Sequence, residues 1–291
     1  MAVLAFDIGG SAVKYGVWDE EALHEQASFP TPKTWEEMKE QLLAVKEKMA
    51  MNFQLEGVAF SAPGAVNQLE RKIDGLSAVP YLHHFPIYDD LEDLFGLAIA
   101  IENDANSAAL AEVWNGAAKD NENVLFVVIG TGVGGSVIVN REVQHGAHLF
   151  GGEFGLMLLD GKQTFSELAT PVQMSWKYAD RKGISREAID GKRVFELAEE
   201  GDKIAIEEVD HFFYYLAIGL YNLTYSFDPE KIIIGGGVSN KDGLIDRINK
   251  EFEALFERVN HDTFRPVVEV CEYKNDANLV GAVYNFQQKQ A

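Results

Sequence analysis

The segment DIGGSAVKYGV (Asp7–Val17) has a counterpart in VIGTGVGGSVIV (Val128–Val139), and no other feature of the chain constrains its fold as much. In each, a short apolar run, VLAFDI at Val3–Ile8 or VLFVVI at Val124–Ile129, ends in glycines and resumes as a second strand-like run. A buried strand, a glycine turn and a returning strand make a hairpin, and two such hairpins predict a twofold-repeated protein. The 291 residues are enough for about two domains, each with its own core.

Further elements follow from periodicity. Ala22–Phe29 extends the first hairpin, and Trp35, Met38, Leu42, Val45 and Met49 recur at the spacing of one helix face. Strand character returns at Gly57–Ala62 and again at Leu97–Asn103, which runs straight into an alanine-rich helix closed by Gly116. Helices near Asp202–Phe227, Asp242–Val259 and Ala277–Phe286 alternate with strands at Lys231–Ile234 and Pro266–Cys271. Such alternation predicts an α/β class. The expected domains are residues 1–115 with about 275–291, and residues 116–274, with a hinge in 105–123.

Composition excludes several functions. The charge, 25 − 46 = −21, repels duplex nucleic acid and anionic membrane surfaces, so neither is an expected partner. A single cysteine, Cys271, rules out an intramolecular disulfide and any zinc site built from several thiolates. The opening MAVLAFDIGG has no basic region before its apolar run, and Phe212–Tyr225 is too short and too polar to span about 30 Å of hydrocarbon. A cytoplasmic location is expected.

Gly130, Gly132 and Gly135 match the spacing of a dinucleotide-binding turn, but they feed the strand-like Ser136–Asn140 rather than the helix such a site requires. A hairpin turn is the better reading, and its bare backbone can still cradle phosphate. A third glycine run, Gly235, Gly236 and Gly237, follows KIII. Three glycine turns at strand ends suggest one nucleotide cleft, with Gly9, Gly10, Gly130, Thr131, Gly132 and Gly134 in its turns. Asp7 and Ser11 flank the first turn and would put a carboxylate and a hydroxyl beside phosphates, with magnesium on Asp7, directly or through water. The plain alternatives are a turn aspartate and a surface serine. Lys14 reads equally as a phosphate ligand and as a solvated strand lysine.

Asp104 stands where strand becomes helix and supports two readings. It is either the helix N-cap or a general base that takes the proton of a substrate hydroxyl attacking a γ-phosphorus, with Asn103 binding neighbouring hydroxyls. His145, His148 and Glu153 lie together in HGAHLFGGEFG. The histidines lack the helical support and further strong ligands of a metal site. Glu153 suits vicinal hydroxyls as a bidentate acceptor, and Glu167 either does likewise or complements a helix dipole.

Together these motifs resemble the ROK family, whose fold is the duplicated actin-like, ribonuclease H-like and hexokinase-type fold with an ATP and sugar cleft. DIGGSAVK and GTGVGG are similar to its phosphate motifs, SAPGAV and GGEFG to its sugar loops, ENDAN to its catalytic motif and IIIGGGVS to its adenosine-side motif, over nearly the whole chain. The resemblance implies Asp104 as general base, sugar contacts from Asn103, Gly64 and Glu153 with Glu167 in the place of a further one, magnesium placed by Asp7, ATP as donor and a homodimer. Leu156 occupies the position of a family histidine that touches the sugar near its first two carbons and binds zinc, and the cysteine-rich zinc segment is absent. No zinc site is expected. Leucine there removes a demand for a free anomeric hydroxyl, so the expected activity is ATP-dependent phosphorylation of the 6-hydroxyl of a glucose unit, free or in a β-glucoside such as cellobiose. The alternatives are a fructose, mannose or N-acetylmannosamine kinase, or a sugar-responsive regulator that does no chemistry.

Overall fold

A computed structural model of the chain describes residues 2–260 and 264–290. In chain order the first elements are β1 (Ala2–Ile8), β2 (Ala12–Asp19), β3 (Ala22–Pro30), α1 (Trp35–Ala50), β4 (Leu55–Ala62), β5 (Ala65–Asn67), β6 (Lys72–Asp74), α2 (Ile87–Phe95), β7 (Ala98–Asn103) and α3 (Asp104–Asn115). They are followed by β8 (Val124–Ile129), β9 (Val133–Val139), β10 (Glu142–Val143), α4 (Phe165–Leu168), α5 (Pro171–Lys182), α6 (Gly191–Glu199), α7 (Lys203–Phe227), β11 (Lys231–Gly235), α8 (Leu244–Val259), β12 (Val268–Val270) and α9 (Ala277–Gln290).

Two compact units result. Unit one is Met1–Asp120, Arg141–Gly151 and Glu272–Ala291, and unit two is Asn121–Asn140 and Gly152–Cys271. The division differs from the sequence expectation at three places, each with a hydrogen-bonding reason. Residues 116–120 and the separate stretch Arg141–Gly151 join unit one, where the Arg141 guanidinium donates to the carbonyls of Val113 in α3 and of Lys119 just beyond it. Residues 272–274 also join it, because the buried Glu112 carboxylate accepts the backbone N–H groups of Glu272 and Tyr273 at 3.0 and 2.9 Å.

In unit one the strand order is β3-β2-β1-β4-β7, with the β1–β2 and β2–β3 pairs antiparallel and the β1–β4 and β4–β7 pairs parallel. β1 is apolar without alternation because both of its faces are covered. Leu4, Phe6 and Ile8 pack with Met38 and Leu42 of α1 and with Tyr88, Leu91 and Phe95 of α2, while Val3 and Ala5 pack with Leu279, Val283 and Phe286 of α9. α1 begins at Thr34, whose hydroxyl accepts from Glu37 N–H, and buries Met38, Leu42, Val45 and Met49 as its period predicts. α9 lies very close to its neighbours. A Cβ at Gly281 would stand 1.6 Å from the Ser107 carbonyl oxygen of α3, and one at Gly57 would stand 2.0 Å from the Phe286 ring, so glycine alone fits either place.

Unit two repeats the plan. β8 and β9 form an antiparallel hairpin, β11 adds to β8 in parallel and β12 to β11 likewise. The 25-residue α7, capped by Asp202, buries Phe212, Leu216 and Leu220 against Leu125, Val127, Ile232 and Ile234. Its greasy centre is therefore core, and among the described residues no helix is long and apolar enough to cross a membrane. The helix required after the glycines of a dinucleotide turn does not occur, since β9 starts at Val133. A hairpin with parallel strands, made twice, is the duplicated actin-like α/β fold that the motifs implied.

Candidate active site

In unit one the parallel strands β1, β4 and β7 end side by side, with Asp7 paired to Ser61 and Ser61 to Glu102 in the register. Their side chains build one polar corner. Asp7 Oδ1 accepts from Ser61 Oγ at 2.9 Å and from Asn278 Nδ2 at 3.0 Å, and Asn278 Nδ2 also lies 3.1 Å from Ser61 Oγ. Burial raises the Asp7 pKa against the lowering effect of these bonds and of Lys14, whose Nζ is 3.9 Å from Oδ2. Lys14 also donates to the Asn275 carbonyl at 3.3 Å, so it is tied to the corner rather than merely solvated. The turn between β1 and β2 closes by a Gly9 N–H bond to the Ala12 carbonyl and leaves Gly10 and Ser11 exposed.

The β7–α3 junction corrects one reading. The helix cap is Asn103, not Asp104: Asn103 Oδ1 accepts from the N–H groups of Ala105 and Asn106 at 2.9 and 3.2 Å. Asp104 is the first helical residue. It is exposed, and its Oδ1 accepts from Ala105 N–H at 2.8 Å. Asn103 also reaches Gly64, donating from Nδ2 to its carbonyl at 3.0 Å. Gly64 has φ +110°, and a Cβ there would meet His83 and Ile73 below 3 Å, so the turn after β4 requires glycine. Three residues expected to contact sugar or its proton, Gly64, Asn103 and Asp104, thus lie together.

The glycines of unit two serve two different purposes. Gly152 (φ +95°) and Gly155 hold the Glu153 turn flat on β9, since Cβ atoms would stand 2.3 Å from the Gly135 carbonyl oxygen and 2.0 Å from the Val133 one. Gly236 crosses the end of β8 in the same way, where a Cβ would stand 2.3 Å from the Ile129 oxygen, and a Cβ on Gly235 would meet the Phe126 ring. At Gly130 and Gly237, by contrast, a Cβ would meet nothing within 4 Å and φ is not positive. Neither packing nor backbone conformation requires glycine at these two. Gly132 and Gly134 have neighbours only at 3.5 and 3.2 Å, and Thr131 is exposed.

Glu153 is exposed on its turn, and Leu156, three residues on, is 64% exposed. Glu167 stands in the first turn of α4. Its carboxylate accepts from Thr164 N–H and Oγ1 at 2.7 and 3.0 Å, the capping box of α4, and these bonds lower its pKa. His145 lies 2.9 Å from Glu102 and His148 is exposed; among the described residues no three His, Cys, Asp or Glu side chains gather as for a metal ion. Sequence reasoning missed Ser61, Asn278, Glu102 and Ser166, whose Oγ accepts from Val133 N–H at 2.9 Å.

The model of the ROK family matches residues 3–289. The chain is 36% identical over 301 aligned positions to the beta-glucoside kinase of Listeria monocytogenes, covering 100% of this chain and 99% of that one. It superposes with a TM-score of 0.90 and 34% identity on a ROK family protein from Streptococcus pneumoniae in complex with sucrose, covering 100% and 99% of the two chains. A ROK family glucokinase from Streptomyces griseus in complex with glucose and AMPPNP matches with a TM-score of 0.80 and 27% identity, covering 99% and 100%.

Proposed function

This chain belongs to the ROK family and is a sugar kinase, and from that premise we propose that it transfers the γ-phosphoryl group of ATP to the 6-hydroxyl of a glucose unit held as a β-glucoside. The observation that carries the substrate choice is Leu156, an apolar side chain left 64% exposed beside the Glu153 turn. Leucine offers a free anomeric hydroxyl no hydrogen bond but gives an apolar aglycone or second ring a surface to cover. The likeness to the Listeria beta-glucoside kinase supports the same choice.

In this reading Asp104 takes the proton from the 6-hydroxyl as its oxygen attacks the γ-phosphorus. Asn103 donates to a neighbouring hydroxyl with the amide hydrogen that Gly64 does not use, and Glu153 accepts from vicinal hydroxyls. Gly130, whose own N–H bonds to the Gly132 carbonyl at 2.9 Å, leaves open space for ATP to approach, and Thr131, Gly132, Gly134 and Gly237 offer it bare backbone. Magnesium fits Asp7 through water: it commonly keeps several waters and takes only one or two carboxylates, and Oδ1 is already held by Ser61 and Asn278. The ion would neutralise phosphate charge. Lys14 adds a positive charge at the same corner. A homodimer and a cytoplasmic location belong to the same proposal.

The test is ADP release with ATP and magnesium across glucose, mannose, fructose, N-acetylmannosamine, cellobiose and methyl β-glucoside. Higher kcat/KM for cellobiose or the methyl glucoside than for glucose is expected. Preference for free glucose would refute the β-glucoside reading, and turnover of none of the six would refute the hexose kinase reading.

A further inference from the structure

Glu102, the next-to-last residue of β7, has a side chain only 1% exposed, yet it directly precedes the Asn103–Asp104 pair. Four groups of unit one converge on its carboxylate. Oε1 accepts from the Asn103 backbone N–H at 2.7 Å and from Asn106 Nδ2 at 3.1 Å, while Oε2 accepts from Gln68 Nε2 at 3.0 Å and lies 2.9 Å from His145 Nε2. Asn103 and Asn106 bracket Asp104 in sequence, so the first turn of α3 hangs from this one buried group on both sides. Misplacing that turn would misplace Asp104 with it.

A buried carboxylate needs charge compensation as well as hydrogen bonds. His145 is the group placed to supply it, from a loop that has little freedom of its own. Gly151 N–H bonds to the His145 carbonyl at 2.9 Å, and a Cβ on Gly151 would stand 2.0 Å from the Gln144 oxygen. The hydrogen bond to Glu102 raises the His145 pKa against burial and against Lys289 of α9, a cation that also faces Glu102 but makes no hydrogen bond to it; Tyr88 of α2 faces Glu102 from its own side.

We propose that Glu102 is a positioning residue for phosphoryl transfer, setting Asn103 and Asp104 through the Asn103 amide, and that His145 is its counter-ion and fastens the Arg141–Gly151 loop to this corner. The proposal rests on Asp104 as the base. With His145 charged, the pair is complete; as pH rises through the raised imidazole pKa, the carboxylate keeps a neutral donor and loses the charge in contact with it, leaving only the more distant Lys289, so turnover declines on the alkaline side.

The test has two parts. By NMR, the His145 imidazole is expected to titrate above the ordinary value of roughly 6.5 and to return towards it in Glu102→Gln. Titration at or below the ordinary value in the unmodified chain overturns the pair, whatever the enzyme turns over. In kinetics with glucose or cellobiose, whichever is used faster, His145→Ala and Glu102→Gln should each lower kcat by about 10- to 100-fold and leave the ATP KM within about twofold. His145→Gln, whose amide still donates but carries no charge, should hold kcat above that of His145→Ala, near the alkaline value of the unmodified enzyme, and abolish the alkaline decline. If Glu102→Gln does not fold, the loop variants of His145 carry the same test. Unaltered kcat and an unaltered pH profile in both of them overturn the positioning role. Full turnover in Asp104→Asn removes the base instead, and leaves the imidazole titration to decide the pair.

Discussion

The two units place their functional groups by opposite means. In unit one a corner of polar side chains, Asp7, Ser61, Asn278, Glu102 and Asn103, is fixed by side-chain hydrogen bonds between 2.7 and 3.2 Å. In unit two the corner is fixed by the absence of side chains, with Gly135, Gly152, Gly155 and Gly236 letting backbone lie on backbone. A hydrogen-bonded corner can be loosened one bond at a time. A close-packed glycine corner tolerates no added atom, because backbone cannot swing aside as a side chain can and a whole strand would have to move.

Substitutions should separate the two kinds. The largest effect is expected from Asp104→Asn, which keeps shape and removes the proton acceptor: kcat should fall by about 10²- to 10⁴-fold with sugar affinity, measured by calorimetry, nearly unchanged. Gly152→Ala comes next. It forces a Cβ into the Gly135 carbonyl at positive φ, and urea denaturation should show a loss of about 2–4 kcal/mol. Asn103→Ala removes the α3 cap and the tie to Gly64 and should cost about 1–2 kcal/mol, together with a raised sugar KM. Gly130→Ala, at the open end of the glycine corner, should change stability by less than about 0.5 kcal/mol while raising the ATP KM several-fold. If Gly130→Ala and Gly152→Ala destabilise equally, the division of the glycines into packing and ligand-facing sets is wrong.

The smallest effect concerns Asp7. Its folded pKa is raised, so the fold holds this proton longer than the unfolded chain does, and stability is lost as pH rises from the ordinary carboxyl value through the folded one. Asp7→Asn keeps the acceptor for Ser61 and Asn278 and does not titrate. Between pH 4 and 7 its denaturation midpoint should therefore fall less than that of the unmodified chain, and equal slopes would refute the desolvation of Asp7.

Local pattern made much of this legible. The two glycine hairpins, the α1 face and the strand that runs into α3 are each written within about 15 residues of sequence. α2 was within reach too, since Ile87, Tyr88, Leu91 and Phe95 follow a helical period closed by Gly96, but prolines and histidines just before them conceal its start. At ENDAN two adjacent residues can both cap a helix, and only the backbone decides between them, in favour of Asn103. Thr164 and Glu167 carry the spacing of a capping box, so the local role of Glu167 at the start of α4 was also readable. What local pattern does not encode is long-range pairing: Asp7 with Asn278 is 271 residues apart, and Glu102 with His145 is 43.

The seating of α9 also sets a timetable for synthesis. Its Leu279, Val283 and Phe286 pack on Val3 and Ala5 of β1, Ala59 of β4 and Ala100 of β7, and Asn278 completes the hydrogen bonds of Asp7. As the chain leaves the ribosome from its N-terminus, β1 therefore waits, half of its apolar surface uncovered, until residues beyond 286 have emerged. Unit two, continuous from Gly152 to Cys271 after its opening hairpin, is available to fold earlier. Unit one is begun first and finished last, so a nascent chain stalled before α9 would present an open sheet face to chaperones.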